Sequence, residues 1–215
     1  MAKTASQPGL CLIAEARSGG AWVARVEAAL DATSASTLVL TGTDGNPIDH
    51  AAARLLVEAA HKKNVAALLA DDVAGAKATG ADGVHLSWRP EIEDAYEAAR
   101  SALGAEAIVG ADAGASRHDA MTLGETGVDY IAFSPMTDAY GTDEARETQH
   151  ELVTWWSEIF LVPVVAFGAE TTGDVAELSR VGADFVAVRL PDAASDDKAW
   201  AAGLVAALSG TANAA

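Results

Sequence analysis

The chain predicts a closed (β/α)8 barrel, a single TIM-type unit with eight parallel strands inside a ring of helices. Three observations carry that expectation. Eight short apolar runs, each followed by a helical stretch, alternate over residues 10–208. The runs are continuously apolar rather than alternating, as strands covered on both faces are. One junction also recurs: Gly80-Ala81-Asp82-Gly83, Gly127-Val128-Asp129-Tyr130 and Gly182-Ala183-Asp184-Phe185 each set a helix-ending glycine before a strand. An open doubly wound sheet is the alternative. No G-x-G-x-x-G phosphate loop follows a strand, which favours the barrel.

The elements follow in order. Residues 10–14 form the first strand, which ends at Glu15, and Ser18-Gly19-Gly20 makes a turn. Residues 22–32 have helical spacing, with Trp22, Val26 and Leu30 on one face. The second strand, 37–40, leads into a loop carrying Gly42 and Asp44. A helix over 49–63 turns Leu55, Leu56 and Ala59 inward. The third strand, 65–69, delivers Asp71 and Asp72 to its end, before an alanine-rich helix that Gly80 closes. Residues 83–86 are the fourth strand, followed by the loop Ser87-Trp88-Arg89-Pro90 and a helix over 91–103. The fifth strand, 107–111, ends at Asp112, and Ser116 caps a helix reaching residue 125. Residues 129–133 are the sixth strand. The stretch 134–144 reads as a long polar loop with the length of a lid. A helix over 146–159 carries Leu152, Trp155, Trp156 and Ile159. Strand 162–167 ending in Gly168, helix 171–181, strand 185–188 and helix 195–208 complete the barrel. Residues 1–9 and 209–215 are expected to be flexible ends.

Composition narrows the function. At 215 residues, half of them hydrophobic, the chain can bury one substantial core. Acidic residues outnumber basic ones 31 to 14, a formal charge of -17. Nucleic acid and anionic membrane surfaces need a positive footprint and are poor partners. The single cysteine, Cys11, excludes an internal disulfide and a Cys-based zinc site. It lies in an apolar run, where a small core residue is a more natural reading than a nucleophile. The start of the chain lacks the pattern of a signal peptide, and no apolar stretch approaches the roughly 18 residues of a membrane span. A cytoplasmic protein with a small-molecule ligand is expected, and a homo-oligomer is compatible with it.

Barrels place their chemistry at the C-terminal ends of their strands. Those ends carry Glu15, Asp44, Asp71, Asp72, Ser87, Trp88, Asp112, Ser134, Asp138, Gly168 and Arg189. Six carboxylates near one arginine read either as a metal or cation pocket or as ordinary loop acids of an acidic protein. Asp71 and Asp72 are the candidate metal ligands, because they directly end a buried strand. Trp88 can stack on a flat or cationic ligand, or anchor its loop. Gly168 can let a phosphate approach backbone N–H groups, or serve a tight turn. Asp112, Ser134 and Arg189 complete the candidate binding set. His85, inside the fourth strand, is more naturally a satisfied core histidine than a catalytic one.

These segments resemble the thiamine phosphate synthase family, which includes the thiazole tautomerases. The resemblance is carried by Leu12-Ile13, by residues 67–71, by Gly-Ala-Asp-Gly-Val-His-Leu at 80–86, and by 107–110, 129–135, 162–168 and 182–188. It implies a (β/α)8 barrel of thiamine biosynthesis, a transferase that uses Mg2+. That reaction joins a hydroxymethylpyrimidine pyrophosphate to a thiazole phosphate and releases pyrophosphate. Asp71 falls on a magnesium aspartate of the family, Gly168 on the first glycine of its phosphate pair, and Pro135 on its proline after the sixth strand. The departures concern charge. The Gln-x-Arg-x-Lys that grips pyrophosphate falls on Leu40, Gly42 and Asp44. The Asn and Arg around the metal aspartate become Ala70 and Asp72, and the second metal aspartate falls near Pro90, beside Glu91. Asp112 replaces a serine, Ala169 a glycine and Leu190 a serine, and residues 135–142 hold no lysine. The resemblance therefore implies a diverged member, weakly active or rebuilt to bind a cationic, unphosphorylated thiamine-like ligand. A scaffold subunit with an idle mouth is the third reading.

Overall fold

A computed structural model describes residues 7–192 and 197–210. Eight strands close into a parallel barrel: β1 (Gly9–Glu15), β2 (Thr37–Thr41), β3 (Ala66–Ala70), β4 (Gly83–Leu86), β5 (Ile108–Asp112), β6 (Tyr130–Phe133), β7 (Val164–Ala169) and β8 (Phe185–Arg189). Closure comes from β8 pairing with β1, with Gly9 opposite Phe185 and Ile13 opposite Arg189. Around the sheet run α1 (Gly20–Thr33), α2 (His50–His61), α3 (Val73–Thr79), α4 (Ile92–Leu103), α5 (Arg117–Thr126), α6 (Thr137–Tyr140), α7 (Thr142–Ile159), α8 (Thr172–Arg180) and α9 (Asp197–Ser209). Among the described residues no helix is long and apolar enough to cross a membrane.

The recurring Gly-x-Asp junction has a physical purpose. Asp82 accepts the Ala67 N–H at 2.7 Å, Asp129 the Val109 N–H at 2.7 Å and Asp184 the Val164 N–H at 2.8 Å. Each aspartate enters an even-numbered strand and fastens the start of the odd strand before it. A charge-assisted bond satisfies an N–H that the ladder leaves free at the base.

Two cores follow from the strand pleat. Outward residues such as Leu12, Leu38, Leu69 and Ile131 pack under the helices, where Trp156 of α7 is fully buried. Its indole stacks on Phe160 and donates to the Val162 carbonyl at 2.9 Å. Inward residues (Cys11, Ile13, Val39, Leu68, Phe167, Ala187) fill the barrel itself. There His85 lies flat against Phe167, with ring centroids 4.3 Å apart, and its Nδ1 meets the Tyr130 hydroxyl at 3.0 Å. Burial lowers His85 to about 4, opposed by the nearby Asp71 charge, so it is a neutral core histidine near pH 7. Burial likewise pushes the Cys11 thiol up to about 12, which makes it a core residue and a poor nucleophile.

The structure corrects several local expectations. Residues 134–144 are not one long loop: after a three-residue connection, 137–140 form α6 and 142–144 begin α7. Gly141, at φ +76°, turns the chain between those helices, and Asp143 and Glu144 favour the positive N-terminal end of α7. Leu55 is 47% exposed, because Ala52, Ala53, Leu56, Val57, Ala59 and Ala60 already occupy the inward stripe of α2. Gly9 belongs to β1 and Ser209 to α9, rather than to flexible ends. The expectations for residues 1–6, 195–196 and 211–215 lie outside the described residues.

Candidate functional site

A cleft of about 910 Å3 opens at the C-terminal ends of β1, β2, β3, β4 and β8. Its wall includes Glu15, Asp44, Asp71, Asp72, His50, Ser87 and Arg189. Of the six carboxylates expected at the mouth, four line the cleft. Asp112 lies buried at the end of β5, and Asp138 sits on α6; neither is part of the wall.

Those four are held in different ways. Asp71 follows β3 in a left-handed conformation, φ +57°, with its N–H bonded to the His85 carbonyl at 2.9 Å. Its Oδ1 accepts the Ser87 N–H at 2.9 Å and a bond from the Arg89 guanidinium. Asp72 is the N-cap of α3. One oxygen takes the Gly75 N–H at 2.7 Å, the other the His50 Nε2 at 2.6 Å. A Cβ at Gly75 would lie 2.2 Å from that carboxylate, so any side chain there would push Asp72 off its bond to His50. Glu15 binds Arg17 at 2.8 Å, and Arg17 also reaches Asp192. Asp44 is exposed in the β2–α2 loop. With Glu15 and Asp71 paired to arginines of adjoining loops, the cleft is less negative than six converging acids would make it.

Among the described residues, Arg189 is the one arginine or lysine on the cleft wall. It extends β8 on the inward side, after Phe185 and Ala187, and its Nη1 meets the Thr41 hydroxyl at 3.4 Å. No carboxylate among the described residues pairs with it. Its charge faces the cleft unspent.

The remaining candidates form a second patch across the mouth. Asp112 accepts the Gly114 N–H at 2.8 Å and the Ser134 hydroxyl. Burial raises its carboxyl to about 6, against the opposing pull of those two donors. Trp88, 40% exposed, lies against Gly114, where a Cβ would come within 2.5 Å of the indole. That contact makes it an anchor of the β5–α5 turn with one part of the ring left open. Gly168, at φ +82°, packs on Pro135, and a Cβ there would meet the proline ring at 2.7 Å. The turn beyond it is self-capped: Asp174 accepts the Glu170 and Thr171 N–H groups at 3.0 and 2.8 Å. Burial alone would raise Asp174, yet those bonds hold it below the usual carboxylate range. Two N–H groups that a phosphate would seek are therefore already engaged.

Three contributors escaped sequence reasoning. Arg89, on the β4–α4 loop, and His50, at the first turn of α2, reach carboxylates 18 and 22 positions away. Gln149 of α7 is buried and donates its amide to the Phe133 and Phe167 carbonyls, at 2.6 and 2.7 Å. It sets the ends of β6 and β7, and with them Ser134 and Gly168. A buried amide on an otherwise apolar helix face was the available signal.

A family model described as thiamine monophosphate synthase matches residues 10–190. A thiamine-phosphate synthase of Erythrobacter litoralis is 38% identical over 199 residues, which is 87% of this chain and 89% of the relative. One from Rhodospirillum centenum is 42% identical over 136 residues, 63% of this chain and 62% of the relative. Among solved structures, a thiamine phosphate pyrophosphorylase from Pyrococcus furiosus superposes with a TM-score of 0.72 at 24% identity, covering 97% of this chain and 99% of its own. A tryptophan synthase alpha-subunit from the same organism superposes at 0.68 with 17% identity, covering 94% and 98%. At those identities the structural likeness shows the fold alone.

Proposed function

The chain belongs to the thiamine monophosphate synthase family, and from that premise we propose that its mouth handles a thiamine-related small molecule, with the synthase reaction slowed. Joining a pyrimidine pyrophosphate to a thiazole phosphate builds negative charge on the departing pyrophosphate, which needs cations aimed at it. The observation that supports a slowed reaction is the cleft wall, where four carboxylates stand against the single unpaired Arg189. Losing one such cation costs on the order of 3 kcal/mol, about a hundredfold in rate.

In this reading Arg189 meets the anionic end of the ligand. Ser134, its hydroxyl oriented by the buried Asp112 carboxyl, offers its oxygen to the ligand's polar edge, Trp88 a flat face, and Gly168 a close approach of the backbone. The protein acts in the cytoplasm, which cell fractionation tests. The activity is tested by pyrophosphate release from the two family substrates, with and without Mg2+, for wild type and Arg189→Ala. Slow release that the substitution abolishes is expected. Turnover at the common enzyme level of about 10 s−1 would overturn the reading.

A second reading follows from the same four carboxylates: a cationic, unphosphorylated ligand such as a thiazolium. Calorimetry in metal-free buffer separates the two. Thiazole phosphate binding more tightly than thiamine would sink the second reading.

A further inference from the structure

The family resemblance puts a divalent cation at Asp71, and the donors around Asp71 do not fit one. Such ions gather several oxygen ligands, with carboxylates free to turn toward them. Here one Asp71 oxygen is spent on Ser87 and Arg89, and both Asp72 oxygens are spent on Gly75 and His50. Among the described residues, no group of three or more His, Cys, Asp and Glu side chains is placed to hold a metal.

What stands beside Asp71 instead is a cation supplied by the chain. Arg89 is anchored twice, through Nε to the Ser87 carbonyl at 3.2 Å and through Nη2 to Asp71. Ser87 serves both partners, giving its N–H to Asp71 and its carbonyl to Arg89. The arrangement cross-links the β3–α3 and β4–α4 loops, the same two loops on which the resemblance expects a pair of metal aspartates. The charges also balance. A divalent ion between two carboxylates is neutral overall, and so is one carboxylate with one guanidinium. The guanidinium has five N–H donors, so several remain beyond those used on Asp71 and Ser87.

We infer that Arg89 takes the place of a divalent metal at Asp71, so that the Asp71 side of this mouth is neutralised by a guanidinium and holds no metal ion. The inference rests on the family reading only for where a metal would be sought.

The test follows Mn2+ alone, by the electron paramagnetic resonance signal of the free ion, added to the full chain. Wild type, Arg89→Asp, and Arg89→Asp with Asp71→Asn are compared. Arg89→Asp puts a second carboxylate opposite Asp71, and Mn2+ should bind it at least about tenfold more tightly than wild type. Adding Asp71→Asn should return binding to the wild-type level. No gain in Arg89→Asp, or wild-type binding as tight as that variant's, overturns the inference. If Arg89→Asp does not fold, Arg89→Ala frees the same Asp71 oxygen, and a failure to gain affinity there overturns it equally. No readout depends on turnover or on a thiamine-related ligand. An inactive protein leaves the inference standing, and a metal-binding wild type removes it while leaving the family reaction open.

Discussion

At the base of the barrel, Asp82, Asp129 and Asp184 repeat one geometry, each accepting a strand N–H at 2.7 to 2.8 Å. At the mouth, Asp71, Asp72 and Asp112 each take a nearby backbone N–H, but no two share a side-chain partner. One binds a guanidinium, one caps a helix beside a histidine, and one is buried against a serine. The base aspartates answer a need of the backbone that recurs at β4, β6 and β8, so their chemistry recurs with the fold. The mouth aspartates also take backbone N–H groups, but of their own loops and turns, and their side-chain partners Arg89, His50 and Ser134 differ from unit to unit. A carboxylate in a barrel is therefore read by the end at which it stands.

The largest test of that contrast removes the base set. Each Asp→Ala change there deletes a charged acceptor and strands a backbone N–H, at about 2 kcal/mol apiece. The sites are far apart and should add, so the triple variant should lose about 6 kcal/mol, a large part of ordinary domain stability. Urea unfolding measures it. A triple variant within 2 kcal/mol of wild type would refute the structural role.

Next in size is the pH dependence set by two interior groups. Asp112 is raised from 3.8 to about 6, so between those values the folded state holds a proton that the unfolded state has lost, and stability falls as pH rises. His85 is lowered from 6.5 to about 4, so the unfolded state holds the extra proton, and stability rises with pH over nearly the same window. Each effect amounts to about 3 kcal/mol, and they oppose one another. Wild type should be nearly flat from pH 4 to 6. Asp112→Asn should leave a stability that climbs with pH, and His85→Phe one that declines. Parallel slopes for the two variants would contradict these assignments.

Smallest is the loss of a mouth cap. Asp72→Ala removes the bond to the Gly75 N–H and should cost about 1 kcal/mol. Its cost should stay below that of any single base aspartate. If it exceeds Asp129→Ala in urea, the contrast between the two ends fails.

The base was legible in the sequence because its signal is periodic. Gly80, Gly127 and Gly182 with their aspartates mark three strand entries, and continuous apolar runs mark the strands. The mouth was legible only in part. Asp71 and Arg189 were placed correctly as strand-end residues, since position along a strand decides which end a side chain occupies. Their partners were not readable, because the Asp71–Arg89 pair depends on how two loops fold toward each other across neighbouring strands. Residues 134–144 misled for a related reason. Polarity marks exposure to water, and an exposed helix such as the start of α7 is as polar as a loop.

Gln149 sets a limit on how this protein can change by descent. One amide spans two strand ends, so a substitution that shifts β6 is felt at β7 in the same generation. Residues 133–134 and 167–168 must then drift together or hardly at all. Among the described residues, the opposite rim, from Glu15 to Arg89, has no such shared tether to α7. Lineages that acquire new ligands in this barrel should carry their variation on that rim, with the Gln149 side kept as the inherited half.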